Sequence, residues 1–413
     1  MSLAAPSSLL KVKEMHGRGR GMVAPQPLKA GQIVLRDSPI LLYSALPFIT
    51  QSLSSSSSMS ASYFCDHCFR TLPLPVQGDS TLSQVSCPSC CHYRFCSSNC
   101  LSKALKSSHS SSWACQALSR LRANSLLLEQ PLERQVQARF LIAAYSLAHI
   151  SPSDFQIMLS LQGSPDDATI AAAKFLHPLI ESLALSSPLN GFSLELTSAL
   201  LAKDKLNAFG IMQPFSIDDD QRFVRAYGIY PYASFFNHDC LPNSCRFDYV
   251  DTNPPDDSHN TDIIIRMIHD VPQGREICLS YFPVNENYSS RQKRLSEDYG
   301  FTCHCDRCNV ESNWSDNDSV EDNAEDEDEN MDEDRSEASD TDNNPIGDNN
   351  DFPHAYFFLK YMCDRTNCWG TLAPLPPQGD TPSNVMECNV CGKLKSDDDF
   401  EIDKGQDEVP MED

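Results

Sequence analysis

Asn237-His238-Asp239-Cys240-Leu241-Pro242-Asn243 decides the reading of this chain, and it follows directly on the aromatic run from Tyr230 to Phe236. Between apolar neighbours it gathers amides, an imidazole and a thiol, the last a soft metal ligand. A short polar turn is more often structural than chemical. Three other segments, near residues 19, 281 and 303, have compositions suited to meeting this one.

Downstream, residues 246–250, 263–268 and 274–281 carry the alternation and β-branched content of strands, and residues 207–211 read as another. Pro272-Gln273-Gly274 predicts a hairpin-like connection between the last two of them. A short helix over 291–298 then leads to Cys303-x-Cys305-x2-Cys308. Three thiolates need a fourth ligand to close a structural zinc site, and Cys240 is the natural candidate. Such closure pins Phe301 against the opening stretch.

Upstream, Gly17-Arg18-Gly19-Arg20-Gly21 runs into strand-like sequence at 22–24 and 33–35. The glycines let backbone approach a ligand closely, so a ligand-facing turn is expected. A flexible RNA-touching patch is the weaker reading of a single short copy. Residues 51–60 are mostly serine and read as a linker. After them Cys65-x2-Cys68, Cys87-x2-Cys90, Cys96-x3-Cys100, His109 and Cys115 supply eight soft ligands, enough for two closed tetrahedral sites. His92 is an alternative donor to His109. From 116 to 206 the apolar spacing is helical, with breaks near Ser151-Pro152, Gly163-Ser164-Pro165 and Ser187-Pro188, and no chemistry is assigned to that interior.

The 413 residues are 40% hydrophobic, enough for a sizeable core and two or three domains. The formal charge of −25 lies in two segments: residues 311–351 hold 18 acids against one base, residues 396–413 nine against one. The remainder is neutral, which argues against direct nucleic-acid binding. The block 311–351 is expected to be disordered, as a solubilising spacer or a lure for basic tails. No signal peptide and no run of eighteen apolar residues is found, so an intracellular protein, nuclear or cytoplasmic, without a membrane span is expected. In that reducing setting fifteen of the 18 cysteines read as zinc ligands rather than disulfides. Cys363-x4-Cys368 and Cys388-x2-Cys391 resemble a zinc ribbon and offer a further site; Cys91, Cys245 and Cys278 are left as packing residues.

The run Cys87 to Cys100, CPSCCHYRFCSSNC, resembles a MYND finger. That likeness implies interleaved ligands, Cys65, Cys68, Cys96 and Cys100 on one zinc and Cys87, Cys90, His109 and Cys115 on the other. The glycine–arginine turn, NHDCLPN, GREICLSY and the Cys-x-Cys-x2-Cys tail, in that order, resemble a SET-domain protein lysine methyltransferase. With the finger inserted after the first strands, the chain resembles the SMYD type, in a plant-like variant without the helical-repeat C-terminal domain.

The resemblance implies an α+β fold, a SET-domain β-clip of small sheets with an inserted MYND finger and helical insert. Its expected parts are residues 11–50 (first SET segment), 65–115 (MYND finger), 116–206 (helical insert), 207–285 (SET core), 286–310 (post-SET zinc segment), 311–351 (acidic linker), 352–395 (zinc ribbon) and 396–413 (acidic tail). It further implies S-adenosylmethionine as cofactor, held by Gly19, Arg20, Gly21, Asn237, His238 and Phe301. Tyr281 falls at the active-site tyrosine, also against the cofactor, and Tyr299 and Phe209 at the walls of a lysine channel. Zinc is implied at three sites, with a fourth at Cys363, Cys368, Cys388 and Cys391. The substrate is then a protein bearing a target lysine, such as a histone tail, with a Pro-rich peptide as a partner of the finger. Methyl transfer needs a neutral amine, and with a lysine pKa near ~10.4 deprotonation at pH 7 costs about 4 to 5 kcal/mol. A dry aromatic slot lowers that cost. The other class of function is a non-catalytic scaffold in transcriptional regulation.

Overall fold

The computed structural model describes residues 7–49, 63–73, 84–110, 113–183, 192–216, 222–252, 259–313, 355–379 and 381–396. The serine-rich linker and most of both acidic segments lie outside them. Strands β1 (Lys11–Met15) and β2 (Gly19–Val23) form an antiparallel hairpin around the glycine–arginine turn, followed by β3 (Ile33–Asp37) and β4 (Leu41–Ser44). Two small ribbons come next, β5 (Tyr63–Phe64) with β6 (Thr71–Leu72) and β7 (Val85–Ser86) with β8 (Arg94–Phe95), then helix α1 (Ser98–Leu105).

Helices fill the next stretch: α2 (Ala114–Arg122), α3 (Ser125–Leu128), α4 (Leu132–Ile150), α5 (Pro152–Ser160), α6 (Asp167–Glu181) and α7 (Leu194–Asn207). Side chains cap three of them: Asn124 accepts from Leu127 N at α3, Asp166 and Thr169 form a reciprocal cap on α6, and Ser193 accepts from Leu196 N at α7. The long α4 buries Phe140, Leu141, Ile142 and Tyr145, and Phe140 meets Tyr43 of β4 edge-on at 5.3 Å. The insert thus shares one core with the strands. Asn207 turns the chain out of α7, its amide donating to Gln162 O (2.7 Å) and Lys203 O (2.8 Å).

The chain then returns to strands, β9 (Ala208–Met212), β10 (Val224–Ile229), β11 (Asn237–His238), β12 (Ser244–Asp248), β13 (Ile263–Met267) and β14 (Glu276–Leu279). With the first four they make small sheets ordered β1-β2-β14-β11, β4-β10-β9 and β12-β13-β3. The expected hairpin between β13 and β14 does not form. Residues 271–275 bond instead to 24–28, with Val271 and Leu28 exchanging both hydrogen bonds (2.8 and 2.9 Å) and Gly274 N donating to Ala24 O (2.7 Å). β14 is thereby delivered beside β2 in another sheet.

Helices α8 (Tyr288–Arg294) and α9 (Asp306–Glu311), then α10 (Ala355–Tyr361) and the sheet β15 (Leu372–Pro374), β16 (Val385–Cys388) and β17 (Leu394–Ser396), complete the described chain. Composition groups Glu311 with the acidic linker, yet it is buried at the end of α9. Two buried cations hold it there, Arg291 at 2.5 Å and Arg307 at 2.6 Å. Cys91 is likewise no packing residue: it is exposed in a turn at φ +58°, whereas Cys245 and Cys278 are buried.

Candidate functional site

β11 pairs in parallel with β14, which sets Asn237 beside Cys278 and His238 beside Leu279. The turn entering β11 is anchored by Asp37, whose carboxylate accepts from Tyr232 N (2.9 Å) and Ala233 N (2.8 Å). Burial pushes that carboxyl up to about 6, against the pull of the two amides. Beyond β11, the Asn243 amide spans the gap to β14, accepting from Cys278 N (2.9 Å) and donating to Glu276 O (2.8 Å). The opening stretch is therefore held at both ends.

Between these ties, Asn237 Nδ2 donates to Glu276 Oε1 at 2.7 Å, and Arg18 reaches in from the β1–β2 turn to Glu276 Oε2 (2.7 Å) and His238 O (2.5 Å). Gly21 faces this group. A Cβ there would stand 2.6 Å from Glu276 Oε1 and 2.9 Å from Asn237 Nδ2, so the cradle exists only because the residue is glycine. Arg18 and Glu276 were not singled out from the sequence; the signal available was a lone acid on an otherwise apolar strand, facing a turn with two arginines. Arg20 goes elsewhere, its guanidinium donating to Ser160 O and lying 4.7 Å from the Phe235 ring.

An aromatic group borders the cradle. Tyr281 N donates to His238 Nδ1 (3.1 Å) and its hydroxyl to Phe236 O (3.0 Å), while its ring lies 4.8 Å from Tyr299 and 5.2 Å from His238. Phe301 stands 6.4 Å from His238 and 6.5 Å from Tyr299 and is 38% exposed as a residue. Burial, with Tyr299 next to it, raises the Tyr281 phenol above its ordinary value; burial first, with the charges of Arg18, Arg291 and Arg307 adding to it, lowers the His238 imidazole to about 3. Both are neutral near pH 7. Phe209 lies on β9, edge-on to Tyr230 at 5.5 Å and 5.6 Å from the Arg246 guanidinium.

Four sets of side chains bring their ligand atoms within 4.8 Å of one another: Cys65, Cys68, Cys96 and Cys100; Cys87, Cys90, His109 and Cys115; Cys240, Cys303, Cys305 and Cys308; Cys363, Cys368, Cys388 and Cys391. Sulfurs bound tetrahedrally at ~2.3 Å from zinc lie about 3.8 Å apart. Cys87–Cys115 (3.8 Å), Cys240–Cys303 (3.9 Å) and Cys363–Cys391 (3.7 Å) match that spacing. The donors fit zinc at each site. His109 is buried and in the second set, while His92 is exposed outside it.

The SET domain family model matches residues 19–282. Histone-lysine N-methyltransferase ASHR2 of Arabidopsis thaliana is 53% identical over 412 residues, covering 96% of this chain and 97% of that protein. A SET and MYND domain-containing protein of Dictyostelium discoideum is 26% identical over 66% of this chain and 78% of its own length. Histone-lysine N-methyltransferase SMYD3 of Mus musculus is 23% identical over 74% of this chain and 63% of its own. No helix among the described residues is long and apolar enough to cross a membrane.

Proposed function

The chain belongs to the SET-domain protein methyltransferases of the SMYD type, and from that premise we propose that it methylates lysine on histones, acting in the nucleus, with the residues around Asn237 and Tyr281 as its centre. The observation that carries this reading is the glycine-lined cradle of Arg18, Glu276 and Asn237 beside the Tyr281–Tyr299 pair. S-adenosylmethionine supplies an electrophilic methyl group on a sulfonium when bound. Its amino-acid end carries both charges, and the cradle offers a guanidinium, a carboxylate and an amide to match. Gly19 and Gly21 admit it by backbone, Asn237 and His238 hold it, Phe301 covers its base, and Arg20 contributes main chain only.

Tyr281 acts without changing its own charge. Its hydroxyl donates to Phe236 O, and the raised phenol keeps the proton on the tyrosine oxygen at neutral pH. The oxygen's lone pairs remain free to accept an N–H of the incoming amine and orient it. Tyr299 and Phe209 exclude water from the lysine, which favours its neutral form, and their ring faces tolerate the cationic product. The cysteine sets at 65–100 and 87–115 are read as a MYND finger, with a Pro-rich peptide as its partner.

Calorimetry on zinc-replete protein should show S-adenosylmethionine binding, and labelled-methyl transfer to core histones should follow. Tyr281→Phe should lower the turnover roughly 10²-fold, the scale of losing one preorganised polar contact, at unchanged cofactor affinity. Absence of cofactor binding would sink the enzyme reading in favour of a scaffold.

A further inference from the structure

The C-terminal unit, α10 with β15 to β17 and the set Cys363, Cys368, Cys388 and Cys391, is docked chiefly on the β12–β13 pair. Three contacts fix it. Glu387 accepts from the buried Arg266 (2.8 Å) and from the Tyr249 hydroxyl (3.0 Å). Asn389, between two of the cysteines, donates to Arg246 O at 3.0 Å while accepting from Thr371 N within its own unit. Gly31 approaches Leu375 so closely that a Cβ would meet its carbonyl oxygen at 2.4 Å. Contact this close leaves the unit no room to slide on the core.

Arg246 continues the connection on its other side. Its Nη2 donates to Gly210 O (2.9 Å) and pairs with Asp248, and its guanidinium carbon lies 5.6 Å from the Phe209 ring centre. Strand β9 is the edge of its sheet, paired with no strand but β10 among the described residues. At the end of that strand Arg365 of the C-terminal unit lies 5.6 Å from the Phe215 ring. A path of two residues, Asn389 and Arg246, thus joins a cysteine set to the edge strand that carries Phe209.

We propose that the C-terminal four-cysteine unit positions the substrate-binding edge: Asn389 holds the Arg246 backbone, and Arg246 in turn fixes β9 and Phe209 where a target protein's lysine enters. This rests on the reading of Phe209 as a channel wall. Asn389 is a positioning residue, touching no reacting group. Misplacing an aromatic wall by a fraction of an ångström weakens substrate engagement while the cofactor cradle, built from β2, β11 and β14, is untouched. A purely structural unit would instead lower stability and leave the two substrates' affinities alike.

The test uses the full chain with zinc content measured for every variant. Asn389→Ala should keep four zincs, speed hydrogen exchange over residues 208–212, raise KM for a mixture of the four core histones roughly five- to tenfold, and leave S-adenosylmethionine affinity unchanged. Arg246→Ala should do the same, and the double variant should add little, because both act through one path. Should Asn389→Ala shed metal, Arg246→Ala carries the test from the core side, where no ligand is altered. Unchanged exchange at 208–212, or additive effects in the double variant, overturns the link. If the wild-type chain methylates no histone, the proposed function fails, and exchange still decides whether the unit holds β9.

Discussion

Gly21 shows how much can hang on one missing methyl group. Glu276 and Asn237 close on each other at 2.7 Å, and Gly21 backs them so tightly that any β-carbon would overlap both. Neither partner can swing away cheaply, since Glu276 also carries Arg18 and Asn237 sits on a strand paired to β14. Gly21→Ala should therefore abolish measurable S-adenosylmethionine binding in calorimetry and also lower the thermal unfolding temperature, because the overlap is relieved only by displacing Glu276 or Asn237. Binding of parental affinity would mean that the cofactor lies elsewhere. Tyr281 illustrates the complementary case, in which burial preserves a hydroxyl by raising its ionisation above the working range. Asn243 satisfies two backbone groups of β14, and the buried Cys278 N–H would be stranded without it.

At the scale of elements, the small zinc-ligand modules are too short to bury cores of their own and must lean on the sheets. The first does so through Arg225 of β10, fully buried, which donates to Phe69 O (3.0 Å), Thr71 Oγ1 (2.9 Å) and Asp251 (2.9 Å) and lies 4.5 Å from the Phe64 ring. Arg225→Ala strands the Phe69 carbonyl and leaves the half-buried Asp251 without its cation, a loss of about 2 to 3 kcal/mol once the exposure of Asp251 is allowed for. Both cysteine sets of the module should keep their zinc, while residues 63–72 lose exchange protection; protection equal to the parent's would show that apolar contact alone suffices. What could be read in advance divides along the same line. Cysteine spacing announces a metal site because ligand chemistry is local, and the strands 246–250 and 263–268 announce themselves by β-branched content. Sheet membership is not local: Pro272-Gln273-Gly274 has a hairpin's composition, but residues 24–28 outcompete β13 for the connector. Arg18 and Glu276 lie 258 positions apart, so their meeting depended on that same crossover. Glu311 looked like one more acid in an acidic run until two buried arginines claimed it.

At the scale of the molecule, the third cysteine set joins the centre to a later part of the chain. Cys240 belongs to the loop after β11, and Cys303, Cys305 and Cys308 belong to the segment that carries Tyr299 and Phe301. Four thiolates around a divalent ion leave a net charge of about −2. Arg291, fully buried and 3.7 Å from Cys308 Sγ, offsets part of it, and is itself held by Glu311. Without the metal, the thiols lose the bond that draws the two segments together, and neither has strand pairing to replace it. Cys240→Ser should therefore reduce bound zinc from four to three per chain by elemental analysis and weaken S-adenosylmethionine more than about tenfold, with Tyr299 and Phe301 no longer held over the cradle. Hydrogen exchange over β1, β2 and β14 should stay slow, since their ladder does not pass through the cluster. A variant that retains all four zincs, or one that loses the ion but binds cofactor like the parent, would separate the metal from the site and leave Cys240 as a packing residue.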